Sequence, residues 1–156
     1  MLIAHSSDQE RGKDAQSYAN HVGGVALRAS DTAQDIAKYS VYNGAILKKA
    51  VSISAEYHDL GKLDEQNQRV LSGLIEAKHL PVHHADAGTA HLMDNLHFPI
   101  AAMLIRSHHI GLPDLIEEQN RAENVLRDES VREKVDKTLR SLLKLHQYAM
   151  QNTQAV

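Results

Sequence analysis

Apolar residues recur at alternating steps of three and four along most of this chain of 156 residues. The first series runs from Tyr18 to Ile36, and its spacing places the apolar side chains on one face of an α-helix. The stretch 31–34 resembles a capping box, which would divide the series into two helices near Ser30. No segment alternates over a strand's length between turn signals, so the periodicity predicts an all-α fold.

The later series predict further helices within a single domain. A wide apolar stripe after Asn43 and Gly44 predicts a central, largely buried helix, with Gly61 as its C-terminal cap. Shorter helices are expected at 65–74, 85–96 and 99–108, with 111–113 as a stop, and a last helix at 135–150. The sequence has no internal repeat, low-complexity tract or linker, and we expect one compact helical bundle over residues 1–156.

Charge and composition argue against several classes of protein. Lys and Arg number 17 against 20 Asp and Glu, and a net charge of −3 is atypical of a dedicated duplex-DNA binder. Cysteine is absent, which excludes disulfide scaffolds, zinc ribbons and thiolate nucleophiles. No apolar run approaches the roughly eighteen residues of a membrane span, and the amino terminus lacks the features of a signal peptide. We therefore expect a cytoplasmic protein with no membrane partner.

Histidine is unusually frequent, with 11 residues in the chain. Most of them fall between positions 58 and 109, namely His58, His79, His83, His84, His91, His97, His108 and His109. Neutral imidazole is the commonest metal ligand in proteins. Because cysteine is absent, imidazole and carboxylate are the only strong metal ligands that the chain offers.

Several of these side chains stand where predicted helices end or beside glycines. The candidates for a metal site are His21, His58, Asp59, His84, His108 and His109. His21 precedes Gly23 and Gly24, and two glycines inside a helix cost roughly 1 kcal/mol each against alanine, which favours a packing or site reason for them. An adjacent His–Asp pair alone is more often a helix-end ion pair. Here five imidazoles and one carboxylate stand on four segments, and this number of ligands favours a site for two metal ions over a site for one.

These residues occur in the order of a known family. The chain contains in turn Ala4-His5-Ser6, His21, His58-Asp59-Leu60-Gly61-Lys62, His84 followed by Ala87-Gly88, and His108-His109-Ile110-Gly111-Leu112-Pro113-Asp114. Over positions 4 to 114 this order resembles the HD-type nuclease domain of type I CRISPR systems, within the HD superfamily. The His-His-x-Gly-Leu run is a more specific element of the resemblance than the His-Asp pair.

The resemblance implies a role for each matching residue. One metal ion would be held by His21, His58 and Asp59, and Asp59 would bridge to a second ion held by His84, His108 and His109. Lys62 would contact a phosphate or help to orient the nucleophile, and His5 would line the approach of the DNA. Asp59 and Lys62 would then be the catalytic residues.

The family also implies an activity and partners. It implies a metal-dependent nuclease that hydrolyses phosphodiester bonds of single-stranded DNA in CRISPR antiviral defence, together with a helicase and the surveillance complex. A nitrogen-rich ligand set favours one or two ions of Mn, Ni, Co or Fe, with Mg or Zn as further candidates. The chain lacks a G-x-x-x-x-G-K-[ST] phosphate loop, so unwinding would need a separate helicase chain or a longer polypeptide.

The chain departs from the family in its last predicted helix. The late Asp ligand of the family is missing, and the matching stretch contains His146 instead. His146 is either an extra metal ligand or a buried histidine with an internal partner. Two other functions stay open: an HD-type phosphohydrolase acting on nucleotides or cyclic nucleotides, and a catalytically lapsed HD binding module. We expect the remaining histidines to be surface, capping or packing residues, namely His79, His83, His91 and His97.

Overall fold

The structure, a computed structural model, describes residues 1–41, 43–111 and 115–152. Positions 112–114, which include the end of the His-His-x-Gly-Leu run, lie outside the described residues. The described part of the chain is mostly helical, as the periodicity predicts. None of its helices combines the length and the apolar character that crossing a membrane requires.

Two short strands precede the helices. The strands are β1 (Ile3–His5) and β2 (Gln16–Ser17), and the helices are α1 (Tyr18–Ala37), α2 (Gly44–Tyr57), α3 (Glu65–Leu71), α4 (His84–Ala90), α5 (Pro99–Ile110), α6 (Leu115–Asn120) and α7 (Glu129–Gln151). A 3₁₀ turn, Leu60–Leu63, follows α2, and a π-helical turn, His91–Asn95, follows α4. The strands pair antiparallel, with Ile3 opposite Ser17. Periodicity does not predict this sheet, because strands so short cannot show an alternating pattern.

Helix α1 is continuous, so the division near Ser30 does not occur. The Ser17 side chain accepts the backbone N–H of Asn20 at 3.3 Å and caps the start of the helix. Val22 on the predicted face is buried, whereas Asp31 is exposed to solvent. Asp31 has no capping role in the middle of a helix, because the N–H groups there already bond to the preceding turn.

Helix α2 is less buried and ends earlier than predicted. Asn43 caps its start, and its buried residues are Ala50, Ser54 and Ala55. Ile46 on the predicted stripe is 48% exposed. The helix ends at Tyr57, and Gly61 lies in the following 3₁₀ turn without the positive φ of a C-terminal cap. The prediction of Gly61 as a helix cap is therefore wrong.

Gly61 is needed because the 3₁₀ turn passes close to the start of α4. A Cβ atom at Gly61 would lie 2.5 Å from the carbonyl oxygen of His84 and 2.8 Å from its Cα atom. Gly88 within α4 stands in the same relation to the carbonyl group of Tyr57. The two glycines let the backbone of α4 lie directly against the end of α2 and the turn that follows it.

Two clusters of buried apolar residues flank this junction. One contains Ala4, Tyr18, Val22, Leu60, Leu63, Ala87, Leu139 and Leu142, and the other contains Ala50, Ala85, Leu92, Ala101, Ala102 and Ile105. Helix α4 contributes to both clusters and therefore lies between them. Leu60 is fully buried, and the burial of its side chain contributes about 1.5–3 kcal/mol to the stability of the fold. Arg106 on α5 donates to Asp86 on α4 at 2.8 Å, and this ion pair fixes the two helices against each other.

Candidate metal centre

Four segments bring ionisable side chains together at this junction. His21 lies on α1, His58 and Asp59 follow α2, His84 begins α4, and His109 lies in the last turn of α5. Asp59 is at the centre, with 2% of its side chain exposed. A buried carboxylate among imidazoles is a ligand set that suits first-row transition metals.

The two carboxylate oxygens of Asp59 face different partners. Oδ2 lies 2.9 Å from Nε2 of His21 and 3.2 Å from Nε2 of His58. Oδ1 lies 3.7 Å from Nε2 of His84 and 3.8 Å from Nε2 of His109. Both oxygens are buried, and neither accepts a hydrogen bond of regular geometry from the described residues. The Lys62 ammonium group compensates Oδ2, whereas Oδ1 faces imidazole nitrogens at 3.7 and 3.8 Å without a close cation among the described residues. A buried carboxylate oxygen in that position is costly unless a cation compensates it, so the site fits a metal ion.

His5 belongs to the same cluster, whereas the resemblance implies only that it lines the approach to the site. It ends β1, and the centroid of its ring lies 4.6 Å from that of His21. Ligand atoms of His5, His21 and Asp59 lie within 4.8 Å of one another, as do those of Asp59, His84 and His109. Ligands at about 2.0–2.2 Å from one ion are at most about 4.4 Å apart, so small side-chain adjustments let either set hold a metal ion.

Lys62 is buried against Asp59, with Nζ 2.8 Å from Oδ2 and 8% of its side chain exposed. The resemblance predicts that Lys62 contacts a phosphate or orients a nucleophile, whereas here its ammonium group balances the charge of Asp59. Burial alone would raise the pKa of Asp59. The two histidines at Oδ2 and the charge of Lys62 outweigh burial and hold that pKa well below its usual range.

Several histidines of the cluster are held in the neutral form. Burial, assisted by His109, lowers the pKa of His84 to about 4. Burial likewise lowers the pKa of His5 and of His109. Neutral imidazole has a lone pair for a metal and imidazolium does not, so these side chains can bind a cation at neutral pH.

The ring of His58 is oriented by the backbone. Its Nδ1 lies 2.8 Å from the carbonyl oxygen of Ala55, and since a carbonyl only accepts, Nδ1 is the donor. With Nδ1 engaged at Ala55, Nε2 is the ring atom that faces Oδ2 of Asp59, at 3.2 Å. Nε2 of His109 donates to the carbonyl oxygen of His58 at 3.0 Å. The same nitrogen cannot donate this hydrogen bond and bind a cation at once. A metal ion at Nε2 of His109 would therefore replace the hydrogen bond to His58.

Two of the candidate ligands from the sequence lie apart from these sets. His108 is exposed, its ring centroid is 5.6 Å from that of His58, and it belongs to neither set of ligand atoms among the described residues. His146 is buried, with Nδ1 3.1 Å from the hydroxyl group of Tyr18 and Nε2 3.7 Å from a carboxylate oxygen of Glu56. The structure thus places His146 among internal partners and away from the ligand sets.

The other histidines have separate environments. Nδ1 of His83 lies 3.1 Å from a carboxylate oxygen of Asp86, which leaves His84 as the member of the pair beside Asp59. His91 is buried, and its Nδ1 lies 3.1 Å from the side-chain amide nitrogen of Asn95. Both histidines thus have partners outside the ligand sets.

Asn67 positions the site from outside and was not among the predicted residues. Its fully buried side chain donates to the carbonyl oxygens of Gly61 and Val82, both at 2.9 Å, and accepts the Val82 N–H at 3.0 Å. These bonds tie the 3₁₀ turn to the loop that leads into His84. No sequence signal marks Asn67, because an asparagine in a short polar helix is ordinarily exposed.

No protein-family model, curated protein or solved structure matches this chain. Its fold and site define a class: a mostly helical protein with a buried His/Asp cluster around Asp59 that can hold a metal ion.

Proposed function

We propose that this protein is a metal-dependent nuclease that hydrolyses phosphodiester bonds of single-stranded DNA. One observation supports the proposal above all: Asp59 is buried, and its two oxygens face separate groups of imidazole nitrogens. Clusters in which one carboxylate is shared between two ligand sets are typical of two-metal hydrolases of phosphate esters.

Each ligand set would hold one metal ion. His21 and His58, with His5 beside them, would hold one ion at Oδ2, and His84 and His109 would hold another at Oδ1. When bound, divalent transition metals supply Lewis acidity that offsets the charge of a phosphodiester. The mainly nitrogen ligand set favours Mn, Ni, Co or Fe.

The remaining side chains would support the ions and the substrate. Lys62 keeps Asp59 ionised through its contact at 2.8 Å and acts as a positioning residue. His108 is exposed beside the cluster, and its imidazole is placed to exchange a proton with a bound substrate or with solvent. The order of motifs adds CRISPR antiviral defence as the setting, with a helicase and the surveillance complex as partners.

The test combines metal binding with DNA cleavage. Protein freed of metal with a chelator is titrated with Mn²⁺, Ni²⁺, Co²⁺, Fe²⁺, Mg²⁺ and Zn²⁺, and each loaded form is given circular single-stranded DNA. We expect cleavage by the wild type and by the control His83→Ala, which alters a histidine outside the ligand sets. His58→Ala and Asp59→Asn should each lose more than roughly 100-fold in rate, since even outer partners of metal ligands are worth about 10–100-fold.

Other outcomes would support other functions. Hydrolysis of nucleotides or cyclic nucleotides without DNA cleavage would favour an HD-type phosphohydrolase. Metal binding without any hydrolysis would favour a lapsed binding module. If no metal binds, or if DNA cleavage survives in both His58→Ala and Asp59→Asn, the nuclease proposal is wrong.

A further inference from the structure

A cavity of about 180 Å³ lies directly beside the ligand cluster, between α1, α2 and α5. Its walls include Val25 and Ala29 from α1, Val51 from α2 and Leu104 from α5, with His58 and His108 at the end next to Asp59. Leu104 is 39% exposed and His108 is exposed, so the cavity opens to solvent. The metal centre and this cavity therefore share the wall formed by His58.

The lining of the cavity selects the chemistry of an occupant. Ser54 supplies a hydroxyl group, but its Oγ lies 2.6 Å from the carbonyl oxygen of Ala50 and 2.9 Å from that of Ala101. The single hydroxyl proton is thus engaged within the protein. The mainly aliphatic walls disfavour a phosphate and favour the faces of a flat ring, and the imidazoles of His58 and His108 can pair with polar atoms at its edge.

The volume of the cavity limits the size of that group. An engineered apolar cavity of about 150 Å³ in another protein binds benzene, whereas pockets for drug-sized ligands measure roughly 300–1,000 Å³. A cavity of about 180 Å³ is therefore closer in size to one six-membered ring than to a fused pair of rings. Among the parts of a nucleic acid, a pyrimidine base has this size and shape.

We propose that this cavity is a base subsite that takes a pyrimidine of a single strand next to the phosphate at the metal centre. The inference rests on the proposed function, because it takes the strand at Asp59 as given. His58 links the two sites, since its Nε2 lies 3.2 Å from Oδ2 of Asp59 while its ring forms part of the cavity wall. The subsite requires an unpaired base, because a base within a duplex cannot leave its stack at little cost. It therefore explains a preference for single strands.

Gly24 of α1 lies beside the face of the helix that leads from the cluster to this subsite. A Cβ atom at Gly23 or at Gly24 would meet no other atom within 4 Å, so close packing does not explain the two glycines. Successive helical residues diverge by about 100°, so Gly24 borders the face that carries His21 and Val25, whereas Gly23 lies on the opposite side of α1. A polynucleotide backbone can approach a helix closely where side chains are absent.

The test observes the cavity without relying on hydrolysis. Methyl NMR spectra of the whole chain in chelator are recorded during titration with oligothymidylate, with oligodeoxyadenylate and with an abasic chain of equal length. We expect the methyl signals of Val25, Val51 and Leu104 to shift with oligothymidylate and to stay unchanged with the abasic chain. Ala29→Leu, which fills the cavity, should weaken oligothymidylate binding by roughly tenfold, the order of the effect that removal of one base-stacking side chain has in single-strand binders.

Two further variants serve as controls for the effect of Ala29→Leu. Ser30→Leu adds the same side chain at an exposed position of α1 outside the cavity and should bind as the wild type does. Leu104→Ala enlarges the cavity and should lower the preference for thymine over adenine several-fold. Equal shifts with the abasic chain, no shift with any strand, or unchanged base preference in Leu104→Ala would overturn the subsite.

Cleavage of circular single-stranded DNA is measured separately on the metal-loaded protein. Base-dependent methyl shifts without cleavage would leave the subsite standing and reject the nuclease. Cleavage with methyl signals that ignore the base would reject the subsite and leave the nuclease standing. The two failures are thereby distinguishable.

Discussion

The exchange Asp59→Asn tests the buried charges at the centre of the cluster. An amide keeps the size of the carboxylate but removes the negative charge that lies 2.8 Å from the Lys62 ammonium group. Only 2% of the Asp59 side chain and 8% of the Lys62 side chain are exposed, so water cannot replace the lost partner. In the metal-free protein, Lys62 must then remain as an unpaired buried charge or give up its proton, and both alternatives destabilise the fold.

The size of the effect follows from this burial. Removing one partner of a buried ion pair costs about 3–5 kcal/mol. Folded domains are stabilised by only about 5–15 kcal/mol in total, so Asp59→Asn should lose a large part of the free energy of unfolding. Lys62→Met keeps the apolar stem of the lysine without its charge. In combination with Asp59→Asn it should restore most of the lost stability.

The assay is urea denaturation followed by circular dichroism at neutral pH in chelator, on the wild type, both single variants and the double variant. The four proteins form a double-mutant cycle, which gives the coupling between the two side chains. A loss below about 1 kcal/mol for Asp59→Asn is the size expected of a surface pair and would refute the reasoning. A double variant as unstable as Asp59→Asn alone would refute it as well.

Three further predictions test the surroundings of Asp59. The pKa of His84 is about 4 in the folded protein and about 6.5 in the unfolded chain, so the unfolded chain binds a proton first as the pH falls. Between these two values the metal-free protein should lose up to about 3 kcal/mol of its free energy of unfolding. Urea midpoints measured against pH test this. Gly61→Ala should destabilise the fold and weaken metal binding because the new methyl group meets the backbone of His84, whereas Gly24→Ala should stabilise it by roughly 1 kcal/mol. Tyr18→Phe leaves Nδ1 of His146 without its partner and should cost about 1–3 kcal/mol in thermal or urea unfolding, with metal affinity unchanged.

Each of these predictions has a contradicting result. The pH dependence should flatten in His84→Ala, and an unchanged curve would assign it to other groups. A Gly61→Ala protein as stable as the wild type would show that the turn and α4 are not in close contact. Loss of metal affinity in Tyr18→Phe would place His146 within the metal site.

Part of the cluster could be foreseen from residue types and spacing. His58 and Asp59 follow the end of a helix, and His84 begins another, so their side chains leave the helical surface at points where several segments can meet. His108 and His109 are indistinguishable by spacing. Consecutive helical residues diverge by about 100°, and only the packing of α5 decides that His109 turns toward Asp59 while His108 remains exposed.

The partners of other residues could not be foreseen, because those partners are distant in the chain. His146 forms a hydrogen bond with Tyr18, which lies 128 positions earlier in the chain, and no local pattern reveals the partner of a buried imidazole. His5 reaches the cluster through a strand pair too short to predict. The role of Gly61 depends on the neighbouring backbone of α4 and not on its own helix.

The mostly helical fold follows from residue order alone, because helical periodicity relates residues that are three and four positions apart. The lack of cysteine likewise restricted any metal ligand to imidazole and carboxylate. Residue order does not reveal which imidazoles share Asp59, that Lys62 pairs with that carboxylate, or that a cavity of about 180 Å³ lies beside His58. Those outcomes depend on how closely helices approach each other, a distance set by packing between segments far apart in the chain.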